Sequence, residues 1–295
     1  MADRPPRWKK LFLIADAAVG DLADQWQAWF RGLQRRLRST DFTEVLAAPN
    51  TLAASALISQ VVQHTLETPV RQELPPTATR IVEDAGQATV EHIRPTVQDP
   101  PYVTGLPETA LWVEQHVGVL IRDVSQTTML TVRQTLQDGW REGLHPRVLA
   151  RQLRGMTGLT PRQAGAIEKQ AAKWAAEGMR AAPLQKAVRQ LQERAIRQRA
   201  ETIARTETLA YSNYGAHSAV QQYVRRGVIA EADLVRQWGY TSDSKCCDDC
   251  ASIPGMNPNG VGLNEEFHTP FGPLLLPPAH PNCRCYISTM PRGTL

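Results

Sequence analysis

All five cysteines of this 295-residue chain fall between Cys246 and Cys285, and that clustering limits the fold more than any other feature. Cys247 and Cys250 form a Cys-x-x-Cys pair, while His280, Cys283 and Cys285 stand at the far end of a loop rich in Pro, Gly and Asn. Two ligand-type pairs spaced in this way suit a closed tetrahedral zinc site, because a two-residue gap lets both thiolates reach one ion at about 2.3 Å. The candidate metal ligands are Cys247, Cys250, His280, Cys283 and Cys285. That is one more than four-coordination requires, so His280 and Cys285 compete for the fourth position. Cys246 neighbours Cys247 in sequence, points away from it and reads as a spectator. Two alternatives use the same residues. A disulfide would close the loop in an oxidising compartment, but the rest of the chain reads as intracellular. A catalytic zinc would keep one position open for water, which an excess of ligands disfavours.

The segment around these residues is too poor in apolar surface to fold unaided. After Gly227 the helical period stops, and three short extended runs follow: Val235 to Thr241, Phe267 to Leu276 and Cys285 to Thr289. Small scaffolds of this kind need a staple, and a bound metal contributes about 10 kcal/mol or more. Ligand spacing and strand shortness together predict a structural zinc rather than a catalytic one.

The rest of the chain reads as helices, so the expected fold class is mainly α, with long helices and a small C-terminal antiparallel β module stapled by Cys and His. Four segments are expected. Residues 1–68 form an N-terminal helical arm for docking, and 69–107 a Pro-rich connector with one embedded helix. Residues 108–227 form a long-helix core, and 228–295 the stapled β module. In the arm, Leu22, Trp26, Trp29, Phe30 and Leu33 recur at helical spacing, with Asp21 as a cap and the tryptophans exposed at the edges. Arg31, Arg35 and Arg38 share a helical face and form a basic docking face, for an acidic protein partner or for nucleic acid. Seven prolines between Pro69 and Pro107 predict that no single helix spans the connector, leaving Thr77 to Ile93 as its one helix. From Glu108 onward Val113, Val117, Leu120, Ile121, Val124, Thr128, Val132 and Leu136 mark one face of a long helix. Thr160, Pro161 and Gln163 form a capped helix start. A final long helix runs from about Leu184 to Arg226, with Leu184, Val188, Leu191, Ala195 and Ile203 as its core face.

Composition narrows the function. A net charge of +4 and a pI near 8.9 permit weak contact with nucleic acid but show no dense basic stripe. No apolar run approaches the ~20 residues that span a bilayer, and Asp16 interrupts the short apolar run after Leu11, so no membrane association and a cytosolic product are expected. No phosphate-cradling Gly-rich loop and no nucleophile with a positioned base can be found, so the chain does not read as an enzyme.

The run Phe267-His268-Thr269-Pro270-Phe271-Gly272-Pro273 and the run from Pro277 to Cys285 resemble the carboxy-terminal signature of the phage head morphogenesis family, the Mu F-type minor head proteins. Upstream, Arg205-Thr206-Glu207 with Ala210 and Asn213 resembles that family's helix motif, and Trp238, Asp243 and Cys247-x-x-Cys250 follow in the expected order. The resemblance covers roughly residues 125 to 290. It implies a minor capsid protein, held by the portal protein and other head proteins inside the virion head, present in the host cytoplasm during assembly and influencing DNA delivery. It also assigns Arg205, Thr206, Glu207, Trp238 and Asp243 to a structural motif, in which Arg205 and Glu207 reach from the helix to the small module. Two other classes fit the knuckle alone: a zinc-stapled DNA-binding module, and a metal-dependent nuclease. The nuclease needs a second metal site with paired histidines, and only His268 and His280 lie in this region.

Overall fold

The computed structural model describes residues 7–40, 42, 46, 51–93, 102–241 and 246–292. Helix α1 spans Arg7–Ser39, α2 Thr51–Val62, α3 Thr68–Ile93, α4 Pro107–Arg141, α5 Pro146–Met156, α6 Pro161–Ala176 and α7 Ala181–Arg225. A π-helical turn, Gln63–Glu67, joins α2 to α3. After α7 come a 3-10 turn at Glu231–Asp233, strand β1 at Leu234–Gly239, helix α8 at Asp248–Met256 and strand β2 at Tyr286–Pro291. The fold is therefore mainly α with a small antiparallel sheet near the C-terminus, as the periodicity predicts.

The chain divides into two compact units. One comprises Met1–Ala23, Pro75–Glu114 and Glu201–Leu295, and the other Asp24–Leu74 and Gln115–Ala200. In the second unit, Trp26, Phe30, Leu33 and Leu37 form the buried stripe of α1, with the Trp26 and Trp29 rings meeting edge to face at 5.0 Å. Both tryptophans are buried, which corrects their assignment to an exposed docking edge; an indole gains most by leaving water. Arg199 of α7 is also buried in this unit. Its guanidinium donates to the carbonyls of Gly158 at 2.7 Å and Val124 at 3.3 Å, and lies over the Phe30 ring at 5.1 Å. Burial lowers its pKa to about 10, so it remains charged near neutrality.

Two boundaries differ from expectation. Helix α1 continues through Asp21, which is therefore no cap. Helix α3 begins at Thr68 rather than Thr77 and passes through Pro75 and Pro76. Each interior proline costs about 3 kcal/mol. Val70, Leu74, Ile81 and Val82 of the same helix are all buried, and at about 1.5–3 kcal/mol each they offset that cost. Residues Arg71 and Gln72, whose carbonyls lose their helical donors to the prolines, are exposed, so water can satisfy them.

Elsewhere local chemistry and structure agree. Thr160 and Gln163 form the reciprocal capping box at the start of α6. Gly227, with φ +68°, follows the end of α7 in the left-handed conformation that glycine adopts without a Cβ penalty. Seven of the eight residues expected on the α4 core face are buried, and Leu120 is half-buried. No helix among the described residues is long and apolar enough to cross a membrane.

Candidate metal centre

Strands β1 and β2 pair antiparallel in the register Trp238↔Ile287 and Gly239↔Tyr286. They hold the two ends of the Cys/His segment together. Of the three extended runs expected here, the middle one is only a bridge between Phe267 and Leu274, because Pro270, Pro273 and Pro277 cannot donate to a longer ladder. The core of this region is small: Trp238, Ile253, Val261, Phe267 and Ile287, with Cys250, Cys283 and Cys285 buried among them. Sulfur thus replaces aliphatic carbon over much of the interior.

All five cysteines are free thiols. Cys247 caps helix α8 through its sulfur, which accepts from the Cys250 amide at 3.4 Å, and the next turn carries Cys250 inward. On the other side, a turn closed by the Cys283 amide and the His280 carbonyl presents the second pair. His280 Nε2 lies 3.2 Å from Cys247 Sγ and 3.0 Å from Cys250 Sγ, and Cys250 Sγ lies 3.8 Å from Cys283 Sγ. Around one tetrahedral zinc, S···S and S···N edges come to about 3.8 and 3.6 Å from its bond lengths. The donors form two overlapping triads that share Cys250: Cys247, Cys250 and His280, and Cys250, Cys283 and Cys285.

His280 Nδ1 lies 2.8 Å from the Pro281 carbonyl, which can only accept, so Nδ1 carries the proton and Nε2 faces the sulfurs with a bare lone pair. The thiols are differentiated as well. The Cys285 thiol donates to Cys283 and brings its pKa down to about 5, whereas the same interaction and burial push Cys285 up. Cys250 is also pushed up, first by burial and then by the charge on Cys283. Cys247 is lowered: burial opposes this, but the Cys250 amide and the His280 ring more than offset it. Either triad can contribute donors to a metal ion, with Cys250 common to both.

Helix α7 carries this module through polar side chains of the motif, Thr206 and Asn213, together with Thr202. Thr206 Oγ1 accepts from the Asn282 amide at 3.0 Å, and Thr202 Oγ1 accepts from Asn282 Nδ2 at 3.2 Å. Asn282 makes both contacts from a left-handed conformation, φ 61°, which Asn tolerates better than most residues. Asn213 acts as a substitute strand: its Nδ2 donates to the Cys285 carbonyl at 3.2 Å, and its Oδ1 accepts from the Ile287 amide at 3.0 Å. Glu207 instead faces Tyr211 one turn on, and burial followed by that carboxylate pushes the phenol well above its usual pKa. The Arg205 guanidinium makes no hydrogen bond or ion pair among the described residues, so it is not the reaching group the motif implied. Trp238 is buried against Phe267 at 5.3 Å, and Asp243 lies outside the described residues. Replacing Asn213 by Ala leaves a buried carbonyl and a buried amide unpaired. That is expected to cost about 2–4 kcal/mol, read as lost hydrogen-exchange protection at Ile287.

A family model described as phage Mu protein F-like matches residues 130–288, more than half of the chain. The chain belongs to the phage Mu protein F-like family. No curated protein and no solved structure matches it. The matched region contains the Thr206–Asn213 contacts and the whole Cys/His cluster of this Mu F-like chain. Membership points to phage head morphogenesis, to virion association and to other head proteins as partners.

Two residues of the Mu F-like module escaped the sequence reading. Arg236 on β1 is fully buried; its guanidinium donates to the carbonyls of Gly262 at 3.0 Å, Leu275 at 2.8 Å and Glu265, and lies over Phe267 at 5.1 Å. Alternation along β1 was the available signal, since residue 236 shares a face with Trp238. His217 on α7 is buried with both ring nitrogens unpartnered among the described residues. Burial, then the charge of Arg236, lowers its pKa to about 4. The unfolded chain therefore binds this proton more tightly. The stabilisation is complete above about pH 6.5 and is lost as pH falls towards 4, worth about 3 kcal/mol. His217→Leu should flatten the stability profile over that window in denaturant titrations; an unchanged slope would exclude this residue as the cause.

Proposed function

We propose that this chain is a minor head protein whose C-terminal module is closed by a structural zinc, and that it works by assembly contacts rather than by catalysis. The observation that carries the reading is the family match, which runs through both the receiving helix and the Cys/His cluster. Thiolates with one imidazole favour zinc over the oxygen-seeking cations, and four protein donors leave no open position for substrate. Bound there, the ion would supply cross-linking, while Asn213, Thr206 and Thr202 fix the closed module to α7. In this reading the protein is held by the portal protein inside the head, in few copies, and influences DNA delivery.

The test is incorporation. Heads purified from infected cells should contain the protein together with zinc, and heads assembled without portal protein should lack it. Equal incorporation without portal would overturn the portal assignment, and absence from all heads would overturn the reading as a whole.

A further inference from the structure

A cleft of about 1570 Å³ opens within the unit formed by Asp24–Leu74 and Gln115–Ala200. One wall is the basic face of α1, where Arg31, Arg35 and Arg38 are all exposed. Arg151 on α5 and Arg189 and Arg197 on α7 add further guanidinium groups. Between them Met156, Ile167, Leu184, Val188 and Ile196 form an apolar strip, interspersed with glutamines such as Gln34, Gln152 and Gln192. Leu184 and Val188 are only half-buried, so part of the stripe that reads as the core face of α7 lacks full cover. Asp138, Glu142, Glu168 and Glu193 line the cleft as well, and the first two, with burial, raise the Glu168 carboxyl above its usual pKa.

We propose that this cleft is a docking groove for an amphipathic α-helix of a partner protein, with apolar side chains facing inward and acidic side chains along the flank that meets α1. An apolar floor beside an arginine wall matches the two faces of such a helix. The size agrees, since three turns of a helix about 11 Å wide fill on the order of 1500 Å³. A nucleic-acid strand fits less well. None of the lining residues is Phe, Tyr or Trp, so bases find no stacking platform. Its phosphates would also meet the four carboxylates, and its exterior would leave the apolar floor uncovered. The inference stands on the chemistry of the cleft and does not depend on the head-protein reading.

A displayed library of 20-residue helical peptides tests it, each with a fixed apolar stripe and flanks drawn from Glu, Gln, Lys and Ser, panned on the full-length chain. Enrichment of Glu-rich flanks is expected, with binding of the best peptide at least tenfold weaker to Arg31→Glu/Arg35→Glu and to Val188→Asp. Helical circular dichroism checks that each variant is folded, and Arg31→Gln/Arg35→Gln serves if the charge reversal disturbs it. No enrichment, enrichment of neutral or basic flanks, or undiminished binding by the variants overturns the proposal. So does tighter binding of a 20-nucleotide strand or duplex, or displacement of the peptide by self-association of the chain.

Discussion

Chelating the metal, or replacing Cys247, Cys250 or Cys283 by Ser, is expected to unfold the segment from Leu234 to Pro291 while the long helices α4 and α7 persist. Without the ion, eight buried residues form the core of this segment, and three of them are thiols. A structural zinc contributes on the order of 10 kcal/mol, comparable to the entire stability of a typical domain. Metal content and hydrogen-exchange protection along β2 should therefore fall together. The ligand choice separates two further variants. His280→Ala should release the ion, because Nε2 faces both Cys247 and Cys250. Cys285→Ser should retain it where Cys247, Cys250, His280 and Cys283 are the four ligands, and loss of the ion would put Cys285 in the place of His280. Full exchange protection in metal-free protein would defeat the stapling argument.

The second large effect concerns Arg236. Replacing it by Met removes the donors from three carbonyl oxygens, those of Gly262, Leu275 and Glu265, which converge on a guanidinium that is itself fully buried. Each stranded acceptor costs about 1–3 kcal/mol, so a loss of roughly 4 kcal/mol is expected. Lys at this position keeps the charge but not the planar fork, and should recover only part of the loss. Chemical denaturation followed by exchange at the Val261 amide, which pairs with Arg236, measures it. A loss below about 1 kcal/mol would show that the carbonyls find other donors.

What the sequence revealed about this protein tracks how local each signal is. The α4 stripe, the Thr160 capping box and the glycine after α7 depend on residues within a few turns of one another, and all three appear where expected. The cysteine spacing likewise encodes a meeting of two segments, because a staple needs only ligand chemistry and a loop long enough to return. The prolines of α3 misled for the opposite reason. Their cost is local, while the burial of Leu74, Ile81 and Val82 that overrides it comes from tertiary packing. Arg236 was hidden similarly, and Asn213 was visible only through the family motif, which named no partner for it. Each satisfies backbone groups of segments 26 to 74 residues away, and polar side chains in a strand or helix interior announce no such partner by their spacing.

Because Gly239 and Tyr286 stand opposite each other across the strand pair, the forty-odd residues between them leave and rejoin the protein at one doorway. Such a layout behaves as a cassette. The interposed chain is free to lengthen, shorten or be exchanged for another metal-knotted insert without rerouting the helices. Any replacement must offer the Thr202–Thr206 ridge a pair of donors like those of Asn282, supply acceptors for the buried Arg236 guanidinium, and return to strand register in time to meet Asn213.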